Sequence, residues 1–317
     1  MQILTFDELT PAMERSRMLV NVAAFSSVFT RERIADLRRR KAIAEYVGVF
    51  AVVGPEVLGH VFVELIPYDF PDGPAKVSGI ATVGTRPDAA RSGVARRLLE
   101  DAHERELADG RQFAALWTNR SWGAHHLYEK LGYRDVYTSP WAVHPPSEDS
   151  PSASSVRFAT KDELDEIDEF HDRMSRGRVG YCRRYRGTMR SAVRFRYVDP
   201  ATDLLVVRRR GELVGYAHLE RSARRVICGE VVAVSRRVTQ ELVNAVGRVS
   251  RGLPYAFQHT LVSDDPAMFP SRTYVHGPVG WYVMMGADLE RNWSTSAAEG
   301  RFGTRDPRFL CLAGDRF

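Results

Sequence analysis

Two stretches hold residues whose types and spacing could do chemistry. Residues 80–95 read IATVGTRPDAARSGVA, and residues 121–133 read SWGAHHLYEKLGY. In the first, a β-branched run ends in a proline-bearing turn, and Val94, Leu98, Leu99 and Ala102 then recur at helical spacing. A strand feeding a tight loop and a helix N-terminus is an anion-binding arrangement. The first-turn N–H groups lack intrahelical partners, and the helix dipole adds partial positive charge. Val83 and Thr85 lie at the strand end, where a diverging neighbour leaves N–H and C=O groups to pair with an extended, amide-bearing ligand. Gly93 permits close backbone approach to a diphosphate, between Ser92 and Val94, and Ala95 keeps the helix start uncrowded. Arg91, Arg96 and Arg97 offset phosphate charge. An amide arm joined to a diphosphate is the chemical description of coenzyme A.

Periodicity and turn residues give the elements that must position these stretches. Residues 2–6 form a short strand. Thr10-Pro11 starts a helix with Met13, Met18, Val20 and Val22 as core candidates, and residues 30–44 read as an arginine-rich helix. Runs 46–53 and 57–66 flank Gly54-Pro55 and predict a hairpin. Residues 67–74, with three prolines, read as a loop, and residues 76–83 as the strand entering the first stretch. A helix over 91–108, a strand over 113–118, a helix over 124–131 ended by Gly132, and a strand region over 133–143 broken by Pro140 complete the first half.

Residues 144–155, HPPSEDSPSASS, have linker composition. The second half repeats the same order more weakly: strand 156–159, helix 161–174, strands 204–207, 213–219 and 226–234, helix 238–249, then strands 256–262 and 281–285. The fold class is α/β. The expected domains are residues 1–146 and 156–317, joined by 147–155.

The chain has 317 residues, 44% hydrophobic and 27% charged, as in a globular protein. No apolar run is long enough to cross a bilayer, and no membrane partner is expected. The N-terminus has no basic start followed by an apolar block, so no signal peptide is expected. Cys182, Cys228 and Cys311 form neither a disulfide framework nor metal-ligand spacing, which favours a reducing, cytoplasmic compartment and no metal. The net charge of +5 permits an acidic ligand. Residues 173–196 hold nine arginines and no acid, read as a solvated helical face; without an aromatic recognition motif, nucleic acid is not expected.

The loop Ala90-Arg91-Ser92-Gly93-Val94-Ala95 resembles the acetyl-CoA-binding motif of the GNAT N-acetyltransferase superfamily, Gln/Arg-x-x-Gly-x-Gly/Ala. Ala90 stands where Gln or Arg is usual. The second stretch resembles that family's later helix at Ala124, Leu127, Tyr128, Gly132 and Tyr133. The resemblance covers the first half. It implies a GNAT fold with a mixed, mostly antiparallel central sheet, followed by a degenerate GNAT-like domain, because VVAVSRRVTQELVNAV has no glycine loop. It implies transfer of an acetyl group from acetyl-CoA to a primary amine of an unidentified acceptor by direct attack on the thioester.

In that reading the Val83 N–H polarises the thioester carbonyl and Tyr128 is the general acid toward the thiolate. Val83, Thr85, Arg91, Ser92, Gly93, Val94, Ala95, Arg96 and Ser121 hold acetyl-CoA. Glu64, Asp69 and His125 are the candidate bases by order, with Glu64 read as a solvated surface residue; His125 and His126 are read as helix-surface or pocket residues. The tandem layout is distantly similar to enhanced-intracellular-survival type acetyltransferases. Their C-terminal carboxylate is the base, a role that would fall to Phe317. Two alternatives stay open: a non-catalytic acyl-CoA-binding module and an aminoacyl transferase of tandem GNAT-like fold. A homodimer is left open.

Overall fold

The computed structural model describes residues 1–26, 30–32, 35, 46–147, 155–180, 187–194, 197–258 and 268–311. The chain forms two compact units. The first comprises Met1–Tyr137 and Trp281–Arg305; the second comprises Thr138–Gly280 and Asp306–Arg316.

The first unit begins with β1 (Gln2–Thr5) and α1 (Pro11–Phe25). The Thr10 hydroxyl accepts from the Met13 N–H at 3.3 Å, and Pro11 occupies the first helical position, where its missing N–H costs nothing. Then come β2 (Tyr46–Val53), β3 (Glu56–Phe70), β4 (Gly73–Thr85), α2 (Val94–Ala108), β5 (Phe113–Thr118), α3 (Gly123–Lys130) and β6 (Arg134–His144). Helix α2 buries Val94, Leu98, Leu99 and Ala102 against Val49, Val61 and Val63 on one face of the sheet. The opposite face carries Phe50, Val52 and Phe62, packed with Val20 of α1.

The second unit continues through β7 (Val156–Phe158), α4 (Leu164–Ser175), α5 (Thr188–Arg194), α6 (Pro200–Asp203), β8 (Leu204–Arg209), β9 (Glu212–Arg221) and β10 (Val226–Ala233). Helix α7 (Arg236–Ser250), β11 (Tyr255–Gln258) and β12 (Val275–Asp288) follow, and α8 (Thr295–Phe302) lies in the first unit. Strands β7, β8, β9 and β10 pair antiparallel in order, β10 pairs parallel with β11, and β11 pairs antiparallel with residues 141–144 of β6. In its core His171 Nδ1 lies 2.5 Å from the Tyr216 hydroxyl, which donates to Glu230 at 2.9 Å.

Each sheet therefore takes its last strand from the other half of the sequence. The first runs β1-β2-β3-β4-β5 and then residues of β12 from Val283 on; the second runs β7-β8-β9-β10-β11 and then β6. This differs from the expected boundary at 146–156. The strand expected at 281–285 in the second domain belongs to the first unit, where Val283↔Thr118 through Asp288↔Phe113 pair antiparallel. Val283, Met285 and Ala287 bury in the core beside Leu98 and Leu99, which supplies the driving force.

The loop expected at 67–74 is instead strand. β3 and β4 pair to the tip, with Pro67 opposite Lys76 and Phe70 opposite Gly73. Tyr68 and Phe70 pack against Phe302 of α8 at 5.4 and 5.6 Å between ring centroids, and this burial outweighs the donors that the prolines remove. Pro140 likewise does not interrupt β6. Most of the helix expected at 30–44, residues 148–154 of the linker and the strand beyond Gln258 lie outside the described residues.

The return of β12 and α8 to the first unit has a direct test. A Cβ at Gly286 would stand well inside van der Waals contact with the Phe302 ring, which is itself fully buried. Gly286→Ala is expected to destabilise the protein by about 1–3 kcal/mol in urea unfolding monitored by fluorescence.

Candidate active site

The site is built where β4 and β5 part. Their parallel pairing covers only Ser78↔Ala114 and Gly79↔Ala115; β12 pairs with the other edge of β5 from Phe113 to Thr118, while β4 continues to Thr85. From Ile80 on, the edge of β4 that faces β5 has no partner strand among the described residues. A bulge lies in the same segment. The β3–β4 register passes from Phe62↔Ala81 to His60↔Gly84, so Val61 faces both Thr82 and Val83. Thr82 has φ 48°, a left-handed conformation that a β-branched residue adopts only under constraint. Ala81, Thr82, Val83 and Thr85 are partly exposed although β4 is a central strand.

Past the strand, the Arg86 N–H donates to the Leu58 carbonyl at 2.8 Å, and its guanidinium reaches Asp88 and Glu56. This clamps the turn Pro87–Ala89. The Ser92 hydroxyl donates to the Ala89 carbonyl at 2.6 Å, and Arg91 and Gly93 adopt φ 60° and 86°. Helix α2 then starts with no side-chain cap and no acid in its first turn, and residues 91–93 are exposed. Its first N–H groups stay available to an anion. Arg96 is paired with Glu100 at 2.8 Å, whereas Arg91 and Arg97 form no ion pair among the described residues. The matching helix of the second unit, α7, is closed differently: the Ser235 hydroxyl accepts from the Val238 N–H at 3.4 Å. A serine cap stands there where the first unit has a bare glycine turn.

Ser121 folds back on Asn119, whose side-chain oxygen accepts from its hydroxyl at 2.7 Å and its N–H at 2.9 Å. Tyr128 of α3 and Tyr133, just beyond its end, are in different states. The Tyr133 ring is fully buried and its hydroxyl lies 2.8 Å from His103 Nε2. The Tyr128 ring is 6% exposed, and its hydroxyl makes no hydrogen bond among the described residues. Burial pushes the Tyr128 hydroxyl up to about 12, so it keeps its proton at neutral pH. Tyr128 is thus free to donate, and Tyr133 is engaged.

Of the expected bases, His125 is buried with Nε2 2.8 Å from Asp135. Asp69 lies near the tip of the β3–β4 hairpin, opposite Pro74. Glu64 departs from its reading as a solvated surface residue. It sits on β3 between Tyr46 of β2 and Gly79 of β4, on the face of Phe62, and is half-buried. Burial, with no charge or hydrogen bond contributing, raises its carboxyl to about 7. Phe317 lies outside the described residues.

His126 Nδ1 lies 3.0 Å from Glu129, and the ligand atoms of His125, His126 and Glu129 are within 4.8 Å of one another, a spacing that could hold a metal ion. Sequence reasoning missed Asn21 and His60, both fully buried with no side-chain hydrogen-bond partner among the described residues; burial lowers His60 to about 3, so it is neutral. A polar residue at a core position of an apolar strand was the available signal. An open depression of about 510 Å³ lined by Phe113, Arg291 and Trp293 lies at the other end of β5, where Arg291 pairs with Asp288.

Residues 12–136 match the family described as acetyltransferase (GNAT) domain. That stretch is similar to GNAT domains. The fold is shared with solved structures of low identity. A probable N-acyltransferase from Enterococcus faecalis superposes with TM-score 0.68 at 12% identity, covering 92% of this chain and 73% of that one. A GCN5-related N-acetyltransferase from Anabaena variabilis gives TM-score 0.66 at 13% identity, covering 91% and 73%. Eis1 from Mycobacterium abscessus gives TM-score 0.60 at 17% identity, covering 90% and 73%. A search of curated proteins finds no match to the sequence. The GNAT domain and these folds support acyltransferase activity.

The Glu64 carboxyl has a consequence for stability. Its folded value lies above the ordinary 4.5, so its contribution is fully present below about pH 4.5 and is lost as pH rises through about 7. Glu64→Gln is therefore expected to melt several degrees above wild type at pH 8, with the gap closing at pH 5, in calorimetric scans across pH.

Proposed function

We propose that the protein is an acetyl-CoA-dependent N-acetyltransferase acting on a primary amine. The observation that carries the reading is the conjunction of the β4–β5 opening with the uncapped N-terminus of α2, both at the ends of one strand–loop–helix. The pantetheine arm would pair with β4 at Val83 and Thr85. The diphosphate would sit on the N–H groups of Gly93, Val94 and Ala95, with Arg91 and Arg96 toward phosphate and Ser121 toward the arm. Ala90 removes a side chain from the loop, but the seat is made of backbone donors, so its loss is tolerable.

The amine attacks the thioester carbon, and the new oxyanion is stabilised by the Val83 N–H in the bulge. Collapse breaks the C–S bond and the thiolate takes a proton from Tyr128. A hydroxyl that burial keeps protonated and that has no other acceptor suits this step. The cytoplasm is the compartment in keeping with free cysteines at Cys228 and Cys311.

Calorimetric titration with acetyl-CoA and release of free CoA thiol over a panel of primary amines test the reading. Tyr128→Phe is expected to bind acetyl-CoA as wild type does while turnover falls about 100-fold. Binding without turnover on any amine, and no effect of Tyr128→Phe, would instead mark a non-catalytic acyl-CoA-binding module.

A further inference from the structure

Glu64 stands at a particular place in the sheet. Its neighbour across β4 is Gly79, and Gly79 is opposite Ala115 in the last pair before β4 and β5 separate. Gly79 has no side chain and Ala115 only a methyl, so the row of the sheet between Glu64 and the opening is uncrowded. On the same face one pair further along β3 lies Phe62, opposite Ala81, next to the bulge at Thr82 and Val83. Among the described residues on this face, α1 covers the sheet at Phe50 and Phe62, and α8 covers it at Tyr68 and Phe70. Glu64 falls between the two, and it is partly exposed where Phe62 and Ile66 on either side are buried. A carboxylate in such a position without a structural partner costs folding free energy.

We propose that Glu64 is the catalytic base, taking a proton from the acceptor amine directly or through one water. The inference rests on the acetyltransferase reading and adds to it the group that the reading lacked. The amine arrives as an ammonium ion, which an isolated carboxylate attracts. Loss of one N–H proton to Glu64 frees the lone pair, and the N–C bond forms to give the oxyanion; as it collapses the C–S bond breaks, Tyr128 protonates the thiolate, and the second proton leaving the nitrogen restores Tyr128. The products are the amide, CoA thiol and one proton, which Glu64 passes to solvent.

Among the described residues, no other charged group competes for the role. His60 on the same strand is fully buried and neutral, and Arg17 of α1 is paired with Glu14. Tyr68 donates to the Phe302 carbonyl, and Arg301 of α8 is paired with Asp72. By register Tyr46 of β2 stands opposite Glu64. A base that ionises near neutrality is half-ready at the pH where it works.

The test uses the full chain saturated with acetyl-CoA and measures thiol release with two kinds of acceptor. One is a panel of 2-phenylethylamine, spermidine and lysine methyl ester, which are ammonium ions at neutral pH. The other is hydroxylamine, which is already unprotonated. Glu64→Gln is expected to lower kcat/KM for the responsive panel amine about 100-fold and to abolish the fall in rate below about pH 7. Its acetyl-CoA affinity and hydroxylamine turnover should stay within about threefold, and Glu64→Asp should retain the acidic limb at reduced rate. Equal loss with hydroxylamine and the panel amine, or a limb that persists in Glu64→Gln, overturns the proposal. So does wild-type protein that binds acetyl-CoA and acetylates hydroxylamine but no panel amine. Failure of wild type to bind acetyl-CoA would instead remove the acetyltransferase reading itself.

Discussion

The structure of the first unit turns on a pairing that stops. β4 and β5 share two residue pairs and then part: β5 stays paired with β12 along its other edge, while β4 carries a bulge at Thr82. Backbone groups left unpaired inside a sheet cost about 1–3 kcal/mol each when desolvated. In the first unit that segment of β4 stays partly exposed, and the sheet around it is fixed by burial of Leu98, Leu99, Val283 and Met285 on one face. A ligand with an amide-bearing arm restores the missing pairs, which is why an opening of this kind reads as a binding site.

The second unit shows what the same element order does without that provision. Strand β10 is followed by Ser235, a conventional cap, and α7 starts with its donors already engaged. In the first unit Gly93 holds φ 86° at the corresponding point and offers no side chain. The difference between an anion seat and a closed helix end is here one hydroxyl and one conformation. In the core of the second unit, buried His171, Tyr216 and Glu230 instead hydrogen-bond with one another. Two arginines of the stretch 173–196 are likewise paired within the second unit, Arg176 on Asp172 and Arg190 on Asp165.

Much of the candidate site was legible in the sequence because it is local. Gly93, Ala95 and the spacing Val94, Leu98, Leu99, Ala102 announce the turn and helix within one short window, and Gly132 closes α3 as its position suggests. What escaped is long-range. The return of Val283–Asp288 to β5 depends on pairing across more than half the chain, which no window contains. Residues 67–74 looked like a loop because their prolines are visible and the Phe302 ring that packs on them is not. Glu64 looked like a surface residue because alternation along β3 does not reveal that both faces of that strand are covered on either side of it.

Amide hydrogen exchange of the full chain with and without acetyl-CoA tests the central claim most directly. The account predicts slowed exchange at Val83 and Thr85 on the opened edge of β4, and at Gly93, Val94 and Ala95 at the start of α2, with no change at the capped start of α7. Exchange unaltered at those five amides in a protein shown to bind acetyl-CoA would contradict it.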